Sequence, residues 1–147
     1  MDQIHVIEQA VTLAREEHHN QLDHTGVPLL DHLTRVSGLV REQGGTPEAV
    51  AASWLHHIFR DTDISAVDLQ EMGFTLPLIE AVQLLTPSSD QTEQQWLEAI
   101  AAHDLARIVK IADVEDHTRD EVLAQVEPQE RARLENFRER ALSQLAR

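Results

Sequence analysis

The chain contains no cysteine and no tyrosine, and only two tryptophans and three phenylalanines in 147 residues. Without cysteine there is no disulfide framework, no thiolate zinc site, no iron–sulfur cluster and no cysteine nucleophile. Basic residues are also scarce: 12 Lys+Arg stand against 26 Asp+Glu, a formal net charge of −14. That balance argues against a duplex nucleic-acid partner, which needs a basic stripe to follow the phosphates. No apolar run approaches the roughly 20 residues of a membrane span, and the opening MDQIHVIEQA lacks the basic-then-apolar order of a secretory signal. A cytoplasmic protein of one domain, residues 1–147, is therefore the expectation. A chain of this length can bury about 70% of its unfolded surface without covalent staples.

What the sequence does have is histidine, nine in all, the side chain of metal sites and proton transfer. These residues lie in a chain whose hydrophobic pattern has helical period nearly throughout. Asp2 is placed to cap a first helix with Ile4, Ile7, Val11 and Ala14 as apolar positions. A polar stretch from His18 to Val27 follows, in which His18 and His19 read as solvated. Leu29, Leu30, Leu33, Val36, Leu39 and Val40 then mark the inner side of a second helix. Gly44 and Gly45 stop it, and Thr46-Pro47 supplies a capping threonine and a proline at the first helical position.

The third helix reads from Glu48 to about Phe59, and a short one opens at a Ser65–Asp68 capping box and ends near Gly73. Further helices are predicted over Leu76–Leu85, Gln91–Ala102 and Leu105–Glu115, and a charged one from Pro128 to about residue 146. No strand alternation of useful length occurs, so the fold class is all-α. The last helix either packs on the domain or contributes to a homodimer; the sequence leaves both open.

Three histidines stand out by position: His32 early in the second helix, and the adjacent His56 and His57 near the end of the third. Asp61 follows His57 by four residues, and Asp113 closes an otherwise apolar helix after Lys110. A transition-metal site needs three or four such side chains converging from different helices, because one helix cannot surround an ion. His32, His56, His57 and Asp113 meet that requirement in type and distribution. The same residues also read as hydrogen-bonded core histidines, as an i,i+4 surface pair of His57 with Asp61, and as a carboxylate capping the next turn.

Their order resembles a known family. Ala52-Ser53-Trp54-Leu55-His56-His57-Ile58-Phe59-Arg60-Asp61-Thr62 is similar to the segment holding the His-Asp pair and the following Glu-Asp pair of HD-domain phosphohydrolases. The branch it resembles is the RelA/SpoT-type (p)ppGpp hydrolase domain and its small stand-alone bacterial relatives. Gly26-Val27-Pro28-Leu29-Leu30-Asp31-His32 looks like that family's Gly-x-Pro-Tyr-Ile-x-His, and Lys110-Ile111-Ala112-Asp113 looks like its Lys-x-Ala-Asp. The resemblance spans roughly residues 11–119. It implies an all-helical HD-type domain holding one divalent metal, usually manganese, whose activated water attacks the 3′-pyrophosphate of a guanosine nucleotide. By position, it makes His32, His56, His57 and Asp113 the ligands.

This chain departs from the family at several of these positions. His57 stands where the family has the aspartate of its name-giving pair, a donor change that favours zinc, iron, nickel or copper over manganese. Arg60 stands at the place of the catalytic glutamate; it cannot accept a proton but can clamp a phosphate. Asp61 is left as the acid/base candidate of that pair. Asp23 and His24 replace an Arg-Lys pair, Leu29 a tyrosine, Pro87 a common lysine and His117 an asparagine. His24, His117, Arg60 and Lys110 are the candidate substrate contacts, with Arg119 as a further cation.

The resulting expectation is a metal-dependent phosphohydrolase for a small phosphorylated ligand, a nucleotide or related phosphoester, with so acidic a chain a poor match to a highly charged alarmone. The alternatives are a catalytically inactive relative that binds a metal, a nucleotide or a protein, and a helical dimerisation module.

Overall fold

The computed structural model describes residues 3–146, with the side chains of Gln3 and Ile4 left out; the expected Asp2 cap and the packing of Ile4 lie outside the described residues. Ten helical segments form: α1 (Gln3–His18), α2 (Leu29–Glu42), α3 (Pro47–Leu55), α4 (Ile58–Asp61), α5 (Ala66–Glu71), α6 (Leu76–Leu85), α7 (Glu93–Ala101), α8 (Asp104–His117), α9 (Asp120–Leu123) and α10 (Pro128–Leu145). No strand occurs among the described residues, as the period of the sequence implied. None of the described helices is long and apolar enough to cross a membrane.

Local chemistry accounts for most of the boundaries. Thr46 caps α3 by accepting the backbone N–H of Ala49, with Pro47 in the first turn, and Ser65 and Asp68 make the reciprocal capping box of α5. Each such cap stabilises its helix by about 1 kcal/mol. Thr92 and Gln95 form a second box at α7, and His103 caps α8 through its ring nitrogen. The α2–α3 junction requires its two glycines for different reasons. Gly44 has φ +83, a left-handed conformation, whereas a Cβ on Gly45 would lie 2.5 Å from Val40 Cγ1.

The core runs through α3. Every residue from Ala49 to Leu55 is buried, and the helix is surrounded by α1, α2, α6 and α8. α2 contributes Leu29, Leu33, Val36 and Val40, and α8 contributes Ala106, Val109, Ala112 and Val114. α10 lies across α7 and α8, with only Ala141 and Leu145 fully buried among its described residues.

The structure differs from expectation at three places. His18 is not solvated: it is 1% exposed, and its Nδ1 lies 2.7 Å from Gln21 Oε1. It falls four residues after Ala14 and eight after Ala10, both buried, so the α1 contact stripe carries it into the core. The third helix does not run through to Phe59 but breaks at His56–His57, where ψ rises to −9 and −1 before α4 begins. Finally, α9 is an additional helical turn between α8 and α10, where the sequence pattern predicts no helix.

Candidate metal centre

The helices of the core bring three separated segments to one point. His32 comes from the first turn of α2, His56 and His57 from the break between α3 and α4, and Asp113 from the last turn of α8. On a regular helix consecutive side chains diverge by about 100°. At the break, the His56 and His57 rings instead lie 4.6 Å apart, and each is 5.6 Å from the His32 ring. The donor atoms of His32, His56 and His57 fall within 4.8 Å of one another. Asp113 Oδ1 is 3.0 Å from His32 Nε2 and 3.5 Å from His56 Nε2.

Hydrogen bonding on the far side of each ring decides what these atoms can do. His32 Nδ1 meets Asp116 Oδ2 at 2.7 Å, His56 Nδ1 meets the Ser53 carbonyl, and His57 Nδ1 meets Asp61 Oδ2 at 3.0 Å. Each partner is an acceptor, so each Nδ1 carries the proton and each neutral ring presents a bare lone pair at Nε2. His32 Nε2, His56 Nε2 and Asp113 Oδ1 are consequently buried polar atoms without a hydrogen-bond partner. Three lone-pair atoms facing one another repel unless a cation lies among them. Donors about 2.1 Å from a shared ion and roughly at right angles lie about 3 Å apart, the spacing seen here. The residues present therefore fit a divalent metal.

Charge in the centre follows from this packing. Burial opposes ionisation of Asp113, but the ammonium of Lys110 and the imidazoles of His117, His32 and His56 together hold its carboxyl well below the usual range. Lys110 is the chain's only lysine. Its Nζ lies 3.0 Å from Asp113 Oδ2 and 4.3 Å from the centroid of the Trp96 ring. Burial keeps His56 neutral despite Asp113, and burial with the neighbouring imidazoles pushes His57 down to about 3. Burial also opposes charge on His32, but Asp113 and Asp116 outweigh it and raise the ring to about 9. Without a metal, a proton on Nε2 would relieve the same conflict of lone pairs.

The remaining expected residues occupy distinct places. Asp61 orients His57 through their hydrogen bond. Burial opposes its charge, but Gln21, His57 and Arg60 together lower its carboxyl. Arg60 has a side chain 58% exposed on the rim, its Nε 3.9 Å from Asp61 Oδ1. Lys110 points inward at Asp113 rather than outward to solvent. His24 and His117 stand together with ring centroids 5.8 Å apart. Arg119 is held on Asp116, its Nη1 2.9 Å from that residue's carbonyl oxygen. All of these except Asp61 border one cavity of about 580 Å³, whose far wall is Val122, Val126, Leu134 and Phe137.

Two residues of the centre escaped the sequence reading. Asp116 accepts from His32 and also receives Arg35, Nε to Oδ1 at 2.6 Å. Burial opposes its charge, but His32 and Arg35 lower it to about 2. Helical register carried the signal: Arg35 follows His32 by three residues and Asp116 follows Asp113 by three, so each pair shares a face.

An all-α fold whose central helices gather His32, His56, His57 and Asp113 at one end is an HD-type arrangement. A solved structure described as a metazoan ortholog of SpoT that hydrolyzes ppGpp superposes with a TM-score of 0.77 at 21% identity, covering 95% of this chain and 85% of that one. In sequence, the chain is 32% identical over 115 residues, 71% of its length, to a Synechocystis protein named a probable guanosine-3′,5′-bis(diphosphate) 3′-pyrophosphohydrolase. It spans 15% of the length of that relative. No family model matches. The resemblance to the RelA/SpoT-type hydrolase domain, drawn from short motifs, thus extends to both sequence and fold.

Proposed function

We propose that this chain is a cytoplasmic, metal-dependent phosphohydrolase, a single HD-type domain acting on a nucleotide or related phosphoester. The observation that carries the reading is the convergence of buried Nε2 lone pairs and Asp113 Oδ1, with Nδ1 of His32, His56 and His57 each engaged by an acceptor. His32, His56, His57 and Asp113 would hold the ion, and a nitrogen-rich set of this kind favours zinc, iron or nickel more than the manganese expected of the family. A divalent ion at this place lowers the pKa of water and offsets charge on phosphoryl oxygens.

The chain's own groups supply the rest. Asp61 and Asp116 fix the tautomer of their histidines, and Lys110 keeps Asp113 ionised and aimed. Asp61, behind His57 and beside Arg60, also stands as the carboxylate able to take a proton. Arg60, more than half exposed and with its Nε 3.9 Å from Asp61 Oδ1, has guanidinium donors free to clamp a phosphate. His24 and His117 border the same space. Arg35, Lys110 and Arg119 are committed to Asp116 and Asp113, and Arg133 to Glu130. With so many lining cations already neutralised, the reading favours a ligand with fewer phosphates than the relatives' named substrate.

The test is elemental analysis of protein purified without chelator, followed by phosphate-release assays with manganese, zinc, iron and nickel over a nucleotide panel that includes ppGpp. Bound metal and release from at least one substrate are expected. A folded protein that binds none of the four metals and hydrolyses none of the panel would overturn the proposal. Metal binding without hydrolysis would leave the inactive, ligand-binding relative as the reading.

A further inference from the structure

His117 stood among the expected substrate contacts, yet its position suits a different task. Its Nε2 lies 3.3 Å from Asp113 Oδ1, the same oxygen that faces His32 Nε2 and His56 Nε2. Its ring centroid is 4.7 Å from that of His32. His32, Asp113 and His117 form a second group whose donor atoms lie within 4.8 Å of one another, sharing His32 with the group of three histidines. His117 is four residues after Asp113 on α8, so the two side chains leave the same helical face together.

We propose that His117 is a fifth ligand of the same metal ion, giving the centre four imidazoles and one carboxylate. The inference rests on the metal-dependent reading above. A simple hydrogen bond to Asp113 describes the contact less well. Charge-assisted N–H···O⁻ bonds run about 2.7–2.9 Å, whereas 3.3 Å matches the spacing of neighbouring ligand atoms around an ion and the 3.0 and 3.5 Å of the other two imidazoles.

His32, His56 and His57 each have Nδ1 engaged, whereas the side chain of His117 is 38% exposed beside the cavity. It is the ligand on the open side of the centre. Four imidazoles against one carboxylate make the set borderline-soft, so the ion it selects is zinc, iron, cobalt or nickel rather than manganese.

Competition against a chromophoric chelator, run on the full chain, measures this directly. The proteins are wild type, His117→Ala, His117→Gln and His57→Ala, each checked for folding by circular dichroism and thermal melting. Both His117 variants are expected to lose zinc and nickel affinity by roughly tenfold or more, with a smaller change for manganese. The visible absorption of the cobalt(II) protein should change in both, reporting an altered ligand field without reference to activity. Gln keeps an N–H for Asp113 but brings no imidazole. Wild-type affinity in His117→Gln beside a loss in His117→Ala would make the residue a hydrogen-bond partner and sink the inference. Unchanged affinity and spectrum in both variants, with a loss in His57→Ala, overturns the fifth ligand and leaves the metal centre standing. A folded wild-type protein that takes up none of these metals overturns both.

Discussion

Helices α3 and α10 represent opposite ways of holding a helix in a small protein. α3 is buried over its whole length from Ala49 to Leu55 and has neighbours on every side. α10 is twice as long, strongly charged, and buries only Ala141 and Leu145 among its described residues. Beside the apolar seat of Phe137, Ala141, Leu142 and Leu145, it is attached by polar contacts: Arg131 Nε to the Leu123 carbonyl, Arg138 to Thr118 Oγ1, and Gln144 to the Gln94 carbonyl. The difference divides the labour of the site. α3, with α2 and α8, brings the donor atoms of His32, His56 and His57 to within 4.8 Å of one another. α9, α10 and the chain between them supply the half-buried wall of Val122, Val126, Leu134 and Phe137, where a substrate's organic part would rest. On the function proposed above, the metal chemistry would belong to the buried side and contacts with the substrate's organic part to the half-buried one.

Metal loading should expose that division most strongly. An ion at a thousand times its Kd raises the free energy of unfolding by about 4 kcal/mol. Because the proposed ligands lie on α2, the α3–α4 break and α8, hydrogen exchange should slow there while α10 keeps its own rate. Equal slowing in α10 would show that the two regions form one cooperative unit.

Truncation comes next. Leu55→Ala removes a fully buried side chain immediately before His56 and should cost about 3 kcal/mol in chemical denaturation. Leu134→Ala, at a half-buried position on α10, should cost under about 1 kcal/mol. Similar costs would erase the contrast.

Asp116→Asn probes the rigid side without a cavity. The amide can present an N–H to His32 Nδ1 and so release the tautomer that leaves Nε2 bare. Metal affinity should fall about 10–100-fold in a folded protein, and chelator competition would reveal it. His57→Asp should do the reverse for one ion, restoring a hard oxygen donor and raising manganese-supported hydrolysis relative to zinc.

How much of this was legible in the sequence depended on distance along the chain. The caps at Thr46 and Ser65 act within three residues, and the four expected ligands carried their motifs with them. His18 looked solvated because its polar neighbours were read instead of the Ala10–Ala14 stripe beneath it. Asp116 and His32 are separated by 84 positions, so their hydrogen bond had no local signature beyond helical register. The break at His56–His57 has no glycine or proline to announce it. Lys110 stands among the expected substrate contacts; its seat on Trp96 depends on how α7 lies against α8, whereas Asp113 is only three residues along the same helix.

The smallest effect should come from the compliant wall. Phe137 is half-buried, borders the cavity from α10 and supplies no donor atom to the centre. Phe137→Ala therefore leaves metal affinity unchanged, while the apolar surface it removes from the wall raises KM several-fold, since one or two lost contacts of this kind are worth about 1 kcal/mol. Kinetics with the best substrate of the panel, beside chelator competition on the same preparation, separates the two quantities. A loss of metal affinity in Phe137→Ala would mean that α10 braces the donor atoms after all, through Thr118 and the end of α8, and the line between a rigid centre and an adjustable wall would have to be drawn further out.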